Sequence, residues 1–169
     1  MIRFQIFYLL TSRLIFYNTL SKLQSKFVPN IKTKYIMDIS TLNWFAVIAA
    51  GLSNFLIGGL WYSPILFGKV WMKENKFSDD DLKNGNMPKM FGLTFLFSIV
   101  MAFNLAMYLN DTTASWGAIA GFLAGFGWVA MSIFTIGQFE RKSAKYMLIH
   151  GGYVTISFIV MGLIIGLWR

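Results

Sequence analysis

Few side chains in this sequence could do chemistry, and they lie far apart along the chain. His150, in Ile149-His150-Gly151-Gly152-Tyr153, is the only histidine. It could titrate, meet a lipid headgroup or ligate a metal, but zinc or haem sites need several ligands and one imidazole supplies one. Asn54 and Asn104 are amides within long apolar runs, and with His150 and Tyr153 they would line a polar pocket if the fold brought them together. Ser98, Ser132, Thr135, Gln138, Thr155 and Ser157 are smaller polar groups in the same runs. The competing expectation for all of them is plain hydrogen bonding between helices. Ser78-Asp79-Asp80-Asp81 has the look of a metal-ligand cluster, yet a serine followed by acids is also the order of a helix start, and the cap is the expected role. A serine nucleophile would need a base and an oxyanion site, but no Gly-x-Ser-x-Gly occurs, and the apolar runs hold no paired carboxylates for an aspartyl mechanism. No catalytic set, metal site or cofactor is expected, and the chain reads as non-enzymatic.

The elements that would position these residues are unusually apolar. Hydrophobic residues make up 56% of the 169 and charged ones 13%, against a soluble norm of about half and about a quarter. Crossing a hydrocarbon core of about 30 Å takes about 20 apolar helical residues. Four stretches reach that length without Asp, Glu, Lys or Arg: about 43–63, 90–109, 116–137 and 146–168. Trp44, Trp61, Tyr62, Tyr108, Trp116, Tyr146 and Trp168 fall near their ends, where amphipathic rings favour the headgroup region. Trp128 is different, lying inside the third stretch, where its indole N–H needs a partner from another helix or a water. It is a candidate packing anchor. The expected fold is all-α, an integral membrane four-helix bundle with a short interfacial helix after the first span.

That interfacial helix is expected directly after Trp61 and Tyr62, with Ser63 as cap and Pro64 in the first turn. Ile65, Leu66, Phe67, Val70, Trp71 and Met72 then mix with Lys69, Lys73 and Lys76, as a helix lying on a membrane surface would require. Asn84-Gly85-Asn86 and Pro88 form the turn into the second span.

Residues 1–36 contain Arg3, Arg13, Lys22, Lys26, Lys32 and Lys34 and no acid, and Arg13 would sit in the middle of any span attempted over residues 2–20. A surface helix, an organelle-targeting leader and translation from Met37 are all open readings. Counted from Met37, one membrane side carries only Arg169, while the loops on the other carry Lys69, Lys73, Lys76, Lys83, Lys89, Arg141, Lys142 and Lys145. The positive-inside rule then puts both ends away from the cytoplasm, whereas adding the six basic residues of 1–36 makes the tally seven against eight and erases the bias. All fifteen Lys and Arg, those of the N-terminal tail included, sit in blocks that flank apolar spans, which accounts for the net charge of +8 without nucleic acid, so the expected partners are membrane lipids and a second copy or another membrane protein.

Small residues recur at helical spacing: Gly117, Gly121 and Gly125 in span three, Ala46, Ala50 and Gly58 in span one, Gly162 and Gly166 in span four. In lipid, helix association relies on such close approach. The stripes suit packing within one bundle, a dimer face or a ligand groove.

From Asn43-Trp44 onward, Gly59-Leu60-Trp61-Tyr62-Ser63-Pro64, Phe67-Gly68-Lys69, Trp71, Gly152-Tyr153, Met161-Gly162 and Trp168 together make a recognisable pattern. The chain from residue 37 to 169 resembles a family of small bacterial membrane proteins catalogued as a domain of unknown function, number 1761. The resemblance implies a four-span protein of the bacterial inner membrane with no established activity. His150 stands where the family more often has Asn, and Phe139-Glu140-Arg141 lacks a glycine expected after the acid. The expected role is that of an interaction or accessory protein; the alternative is a small carrier or lipid-binding protein built around Asn54, Asn104, His150 and Tyr153.

Overall fold

A computed structural model of the chain describes residues 17–19, 22, 39–109 and 112–168. The chain divides into two compact units, Met1–Ile36 and Met37–Arg169. In the first, Tyr17, Asn18, Thr19 and Lys22 are described, all helical and exposed; the expectations for the basic extension otherwise concern residues outside the described ones.

After a 3-10 turn at Ile39–Thr41, the second unit contains four long helices, each apolar and long enough to cross a membrane: α1 (Trp44–Trp61), α4 (Met87–Tyr108), α5 (Ala114–Phe139) and α6 (Ala144–Leu167). Two short ones, α2 (Gly68–Asn75) and α3 (Asp79–Lys83), lie between α1 and α4. Each long helix starts at a polar cap whose side-chain oxygen accepts an otherwise orphaned backbone N–H: Asn43 from Ala46, Asn86 from Lys89, Thr113 from Trp116 and Ser143 from Tyr146. The Asn86 cap, with Pro88 in the first turn, starts α4 three residues ahead of the expected limit. Ser78 and Asp81 form a capping box on α3, with 3.2 Å from Asp81 N to Ser78 Oγ and 2.8 Å from Ser78 N to Asp81 Oδ2. The Ser78 hydroxyl and then its backbone N–H hold the Asp81 carboxyl below its ordinary value.

Two helices end on a non-glycine residue in the left-handed region. At the end of α5, Arg141 has φ 54°, its N–H reaches Gln138 O at 3.1 Å and Lys142 N–H reaches Gly137 O at 2.9 Å. This pairing is a Schellman cap, whose left-handed position favours glycine. Lys76, with φ 57°, does the same for α2, and Phe77 beyond it packs on Trp71.

The start of the interfacial helix needs correcting. Residues 62–67 are turns and α2 begins at Gly68, not at Pro64. The Ser63 hydroxyl donates backward to Leu60 O at 2.7 Å, closing α1 instead of capping α2. Gly68 N–H then bonds Ser63 O at 2.9 Å, and a Cβ on Gly68 would stand 2.5 Å from Tyr62 O. Only glycine fits so tight a return.

α1 and α6 pack together at the centre, α4 lies along α1, and α5 lies along α6, while α4 and α5 make no extended contact. Val47, Ala50, Ala102, Leu105, Ala106, Leu109, Phe158 and Met161 form the buried cluster. The glycine stripes close the α5–α6 seam: a Cβ on Gly117 would overlap the carbonyl oxygen of Gly162, and the reverse also holds. A Cβ on Gly121 would likewise overlap Phe158 O, one on Gly125 would stand 2.8 Å from Phe158 Cβ, and one on Gly166 would stand 2.7 Å from Thr113 O. These glycines are therefore used inside one chain. The outer faces carry large apolar residues such as Phe45, Leu56, Phe97 and Leu148, which only acyl chains or a partner could cover.

Candidate functional site

Asn54 and Gly58 on α1 and Tyr62, the residue that caps its end, succeed one another at four-residue spacing, and on α6 His150, Tyr153 and Ser157 follow at three and four. At helical periodicity each set shares a face. The two faces meet. Asn54, 1% exposed, accepts from the Tyr153 hydroxyl at 3.1 Å and donates to Ser98 Oγ on α4 at 2.6 Å. Ser98 donates onward to Thr94 O at 2.8 Å. Gly58 leaves room for the Tyr153 ring, since a Cβ there would stand 3.2 Å from its hydroxyl oxygen. One amide in the middle of α1 thus joins three helices.

Toward the α2 side, the Tyr62 hydroxyl and His150 Nδ1 are 2.8 Å apart, and Trp61 Nε1 donates to Ile149 O at 3.0 Å. The Tyr62 ring is the hub of an aromatic cluster, meeting Tyr153 at 5.3 Å, Trp71 at 5.5 Å and His150 at 5.7 Å between centroids. Tyr146 packs on His150 at 4.3 Å, and Lys142 Nζ lies 5.1 Å over the Tyr146 ring. A hydrogen bond from Ser143 Oγ to the Glu74 carboxylate ties α2 to the start of α6. The polar groups form a line from the aromatic elbow into the middle of the bundle.

The structure brings Asn54, Tyr153 and His150 to this junction, with Tyr62 between the last two, and leaves Asn104 out. Asn104 is exposed, on the side of α4 turned from Ala102, Leu105 and Ala106, and its amide N–H returns to Val100 O at 2.9 Å. It is also one turn from the end of α4, not in mid-span. The proposed four-residue pocket is therefore a three-residue line to which Tyr62 and Ser98 must be added. Trp128 is likewise not an internal anchor, being 67% exposed on the outer side of α5. In the elbow, Trp61, Tyr62 and Trp71 make the contacts described, whereas Pro64 is exposed in the turn.

Chemically, the line can hold helices in register. Asn54 uses its carbonyl and one N–H, and Ser98 both donates and accepts. His150 Nε2 is buried without a hydrogen-bond partner. Among the described residues no three His, Cys, Asp or Glu gather as a metal site.

A family-level match runs over residues 45–166, most of the chain, and takes in the whole polar line and the elbow. The chain belongs to the family described as Protein of unknown function (DUF1761). No curated protein and no solved structure matches it. The family thus agrees with the resemblance carried by the Trp61-Tyr62-Ser63-Pro64 block, and it assigns no role to the Asn54–Tyr153 pair.

Proposed function

We propose that this protein is a non-enzymatic interaction or accessory protein of a bacterial inner membrane, with its basic loops toward the cytoplasm. The observation that carries this reading is the use made of the interior polar groups. Asn54, Tyr153 and Ser98 are hydrogen-bonded to one another across three helices, which makes them fasteners and leaves the outer faces of α4 and α5 as the surfaces open to other molecules. The side assignment is that of the chain counted from Met37, and rests on its eight basic loop residues and the positive-inside rule.

A carrier that takes a small molecule at the same line would have to break those bonds to admit it, at about 1 kcal/mol each. The unpartnered His150 Nε2 and Ser157 Oγ are the features that favour it. Native mass spectrometry of the protein released from lipid nanodiscs separates the two. The interaction reading expects protein ions without a stoichiometric small molecule; one molecule of constant mass retained per chain, and lost in Asn54→Leu, would overturn it.

A further inference from the structure

α2 is fastened at two points to the ends of membrane spans. Trp71 packs on Tyr62, the residue that caps the end of α1, and the Glu74 carboxylate accepts from the hydroxyl of Ser143, the cap that starts α6. Headgroups begin where the spans end, so α2 is held at headgroup depth. The same fasteners turn Trp71 and Glu74 inward and leave Lys69, Val70 and Lys73 exposed on the other side. Ile65, Leu66 and Phe67 in the preceding turn are exposed with them, Ile65 at 82%. Water would leave the apolar members of this surface bare, and hydrocarbon would strand the lysines. The Glu74 contact also brings together two basic segments remote in sequence: Lys69, Lys73 and Lys76 of α2, and Arg141, Lys142 and Lys145 around the start of α6. Among the described residues none of these six meets a carboxylate in an ion pair. Of the nearby acids, Glu74 is held by Ser143, Asp81 by Ser78 and Asp80 by Lys83 at 3.7 Å, which leaves Asp79 and Glu140 against six cations.

We propose that α2 and the turn between α5 and α6 form one binding surface for the phosphate headgroups of anionic phospholipids, with Ile65, Leu66 and Val70 entering the acyl boundary beside them. The occupant follows from the mixed chemistry of the surface and its depth. A headgroup layer supplies phosphate at the level of the ammonium groups and hydrocarbon directly below it, which is what an apolar turn joined to a row of lysines requires. Anionic lipids are preferred over zwitterionic ones because phosphatidylcholine brings its own cation to that level, whereas phosphatidylglycerol leaves its phosphate charge to the protein. The surface goes beyond the interaction reading, since it assigns a lipid class to an elbow that the reading leaves undefined.

The chain has no cysteine, so a bimane label at Leu66→Cys reports on the elbow of the full-length protein in phosphatidylcholine nanodiscs. A label at Phe45→Cys, exposed at the start of α1, reports on the opposite membrane side. Doxyl-labelled phosphatidylglycerol or phosphatidylcholine, added in small amounts, quenches at short range and so reads the lipid beside each label. At Leu66 the glycerol lipid should be preferred about fivefold, the effect of one lysine on one phosphate, and at Phe45 the two should quench alike. The preference should fall to about twofold or less in Lys69→Gln/Lys73→Gln, and equally in Lys142→Gln/Lys145→Gln if the two segments act as one surface. Lys83→Gln/Lys89→Gln makes the same charge change outside α2 and the α5–α6 turn, and should leave the preference intact. Equal quenching by both lipids at Leu66 would overturn the proposal, as would an equal preference at Phe45, indifference to Lys142→Gln/Lys145→Gln, or as large a loss in Lys83→Gln/Lys89→Gln. The readout is local lipid composition, so its failure is separate from that of the interaction reading, which turns on a retained small molecule.

Discussion

Replacing Gly117 by alanine sets two effects of opposite sign against each other. Alanine is the better helix former by about 0.8–1.0 kcal/mol. Its Cβ, however, would overlap the Gly162 carbonyl oxygen, a backbone atom that cannot swing aside, so α5 and α6 must part by roughly 1 Å. A gap of that size forfeits a quarter to a half of each ~0.1–0.2 kcal/mol atom contact, and over a seam of several tens of contacts the loss is about 2–3 kcal/mol. The net expectation is destabilisation by about 1–2 kcal/mol, and Gly162→Ala should match it because the approach is reciprocal. Gly59 and Gly92 provide the contrast: a Cβ on either meets nothing within 4 Å, so alanine there should be neutral or stabilising by up to about 1 kcal/mol. Reversible unfolding in mixed micelles titrated with dodecyl sulfate, followed by far-UV circular dichroism, reads the difference. Shifts of the same sign at Gly117 and Gly92 would refute the close-approach argument.

Arg141→Gly should relieve a left-handed backbone cost of about 1 kcal/mol and raise the unfolding midpoint in the same titration, with Lys76→Gly acting independently on α2. Asn54→Leu should destabilise by about 1–2 kcal/mol and Tyr153→Phe by less, and the double substitution should cost less than their sum, as a double-mutant cycle would show. Because the hydrogen bonds that lower the Asp81 carboxyl exist only when α3 is formed, their contribution is complete above the ordinary carboxylate value of 3.8 and is lost as pH falls through the lower folded-state value. Amide protection in α3, taken as the exchange rate relative to that of an unstructured peptide at the same pH, should therefore fall on acidification across that range, and Asp81→Asn should remove that fall.

The four spans could be read from sequence because lipid imposes a length and forbids charge, and the caps Asn43, Thr113 and Ser143 mark where the chain leaves water-accessible turns. The glycines of the seam were equally visible, since small residues at spacing four have few other uses in a membrane. Rotation about each helix axis was not visible. A helix apolar on all sides has no polar face to fix its phase, so nothing marked Asn104 and Trp128 as outward or Asn54 as inward. Asn54 and Gly58 on α1 with Tyr62 at its C-cap, and His150–Tyr153–Ser157 on α6, did carry a signal, a shared face on each helix, but their meeting depends on α1 and α6 being neighbours, which loop lengths alone leave open. The elbow misled because Ser63-Pro64 is as good a helix start as it is a turn. Nothing in the sequence before Gly125 and Gly127 announces the π-helix into which α5 widens over Leu123–Ala130.

The placement of α6 between α1 and α5 has a consequence for biogenesis. It comes after the other three long helices in the chain, so the translocon releases it once they have entered the bilayer. Until then α1 and α4 can pair, but Gly117, Gly121 and Gly125 have no neighbour, and the Asn54 carbonyl has no phenol to receive. Assembly is thus deferred until α6 arrives, and a nascent chain stalled before Ala144 would present an open glycine groove and an unsatisfied amide to the membrane's proteases. Quality control could distinguish finished from unfinished copies by that groove alone.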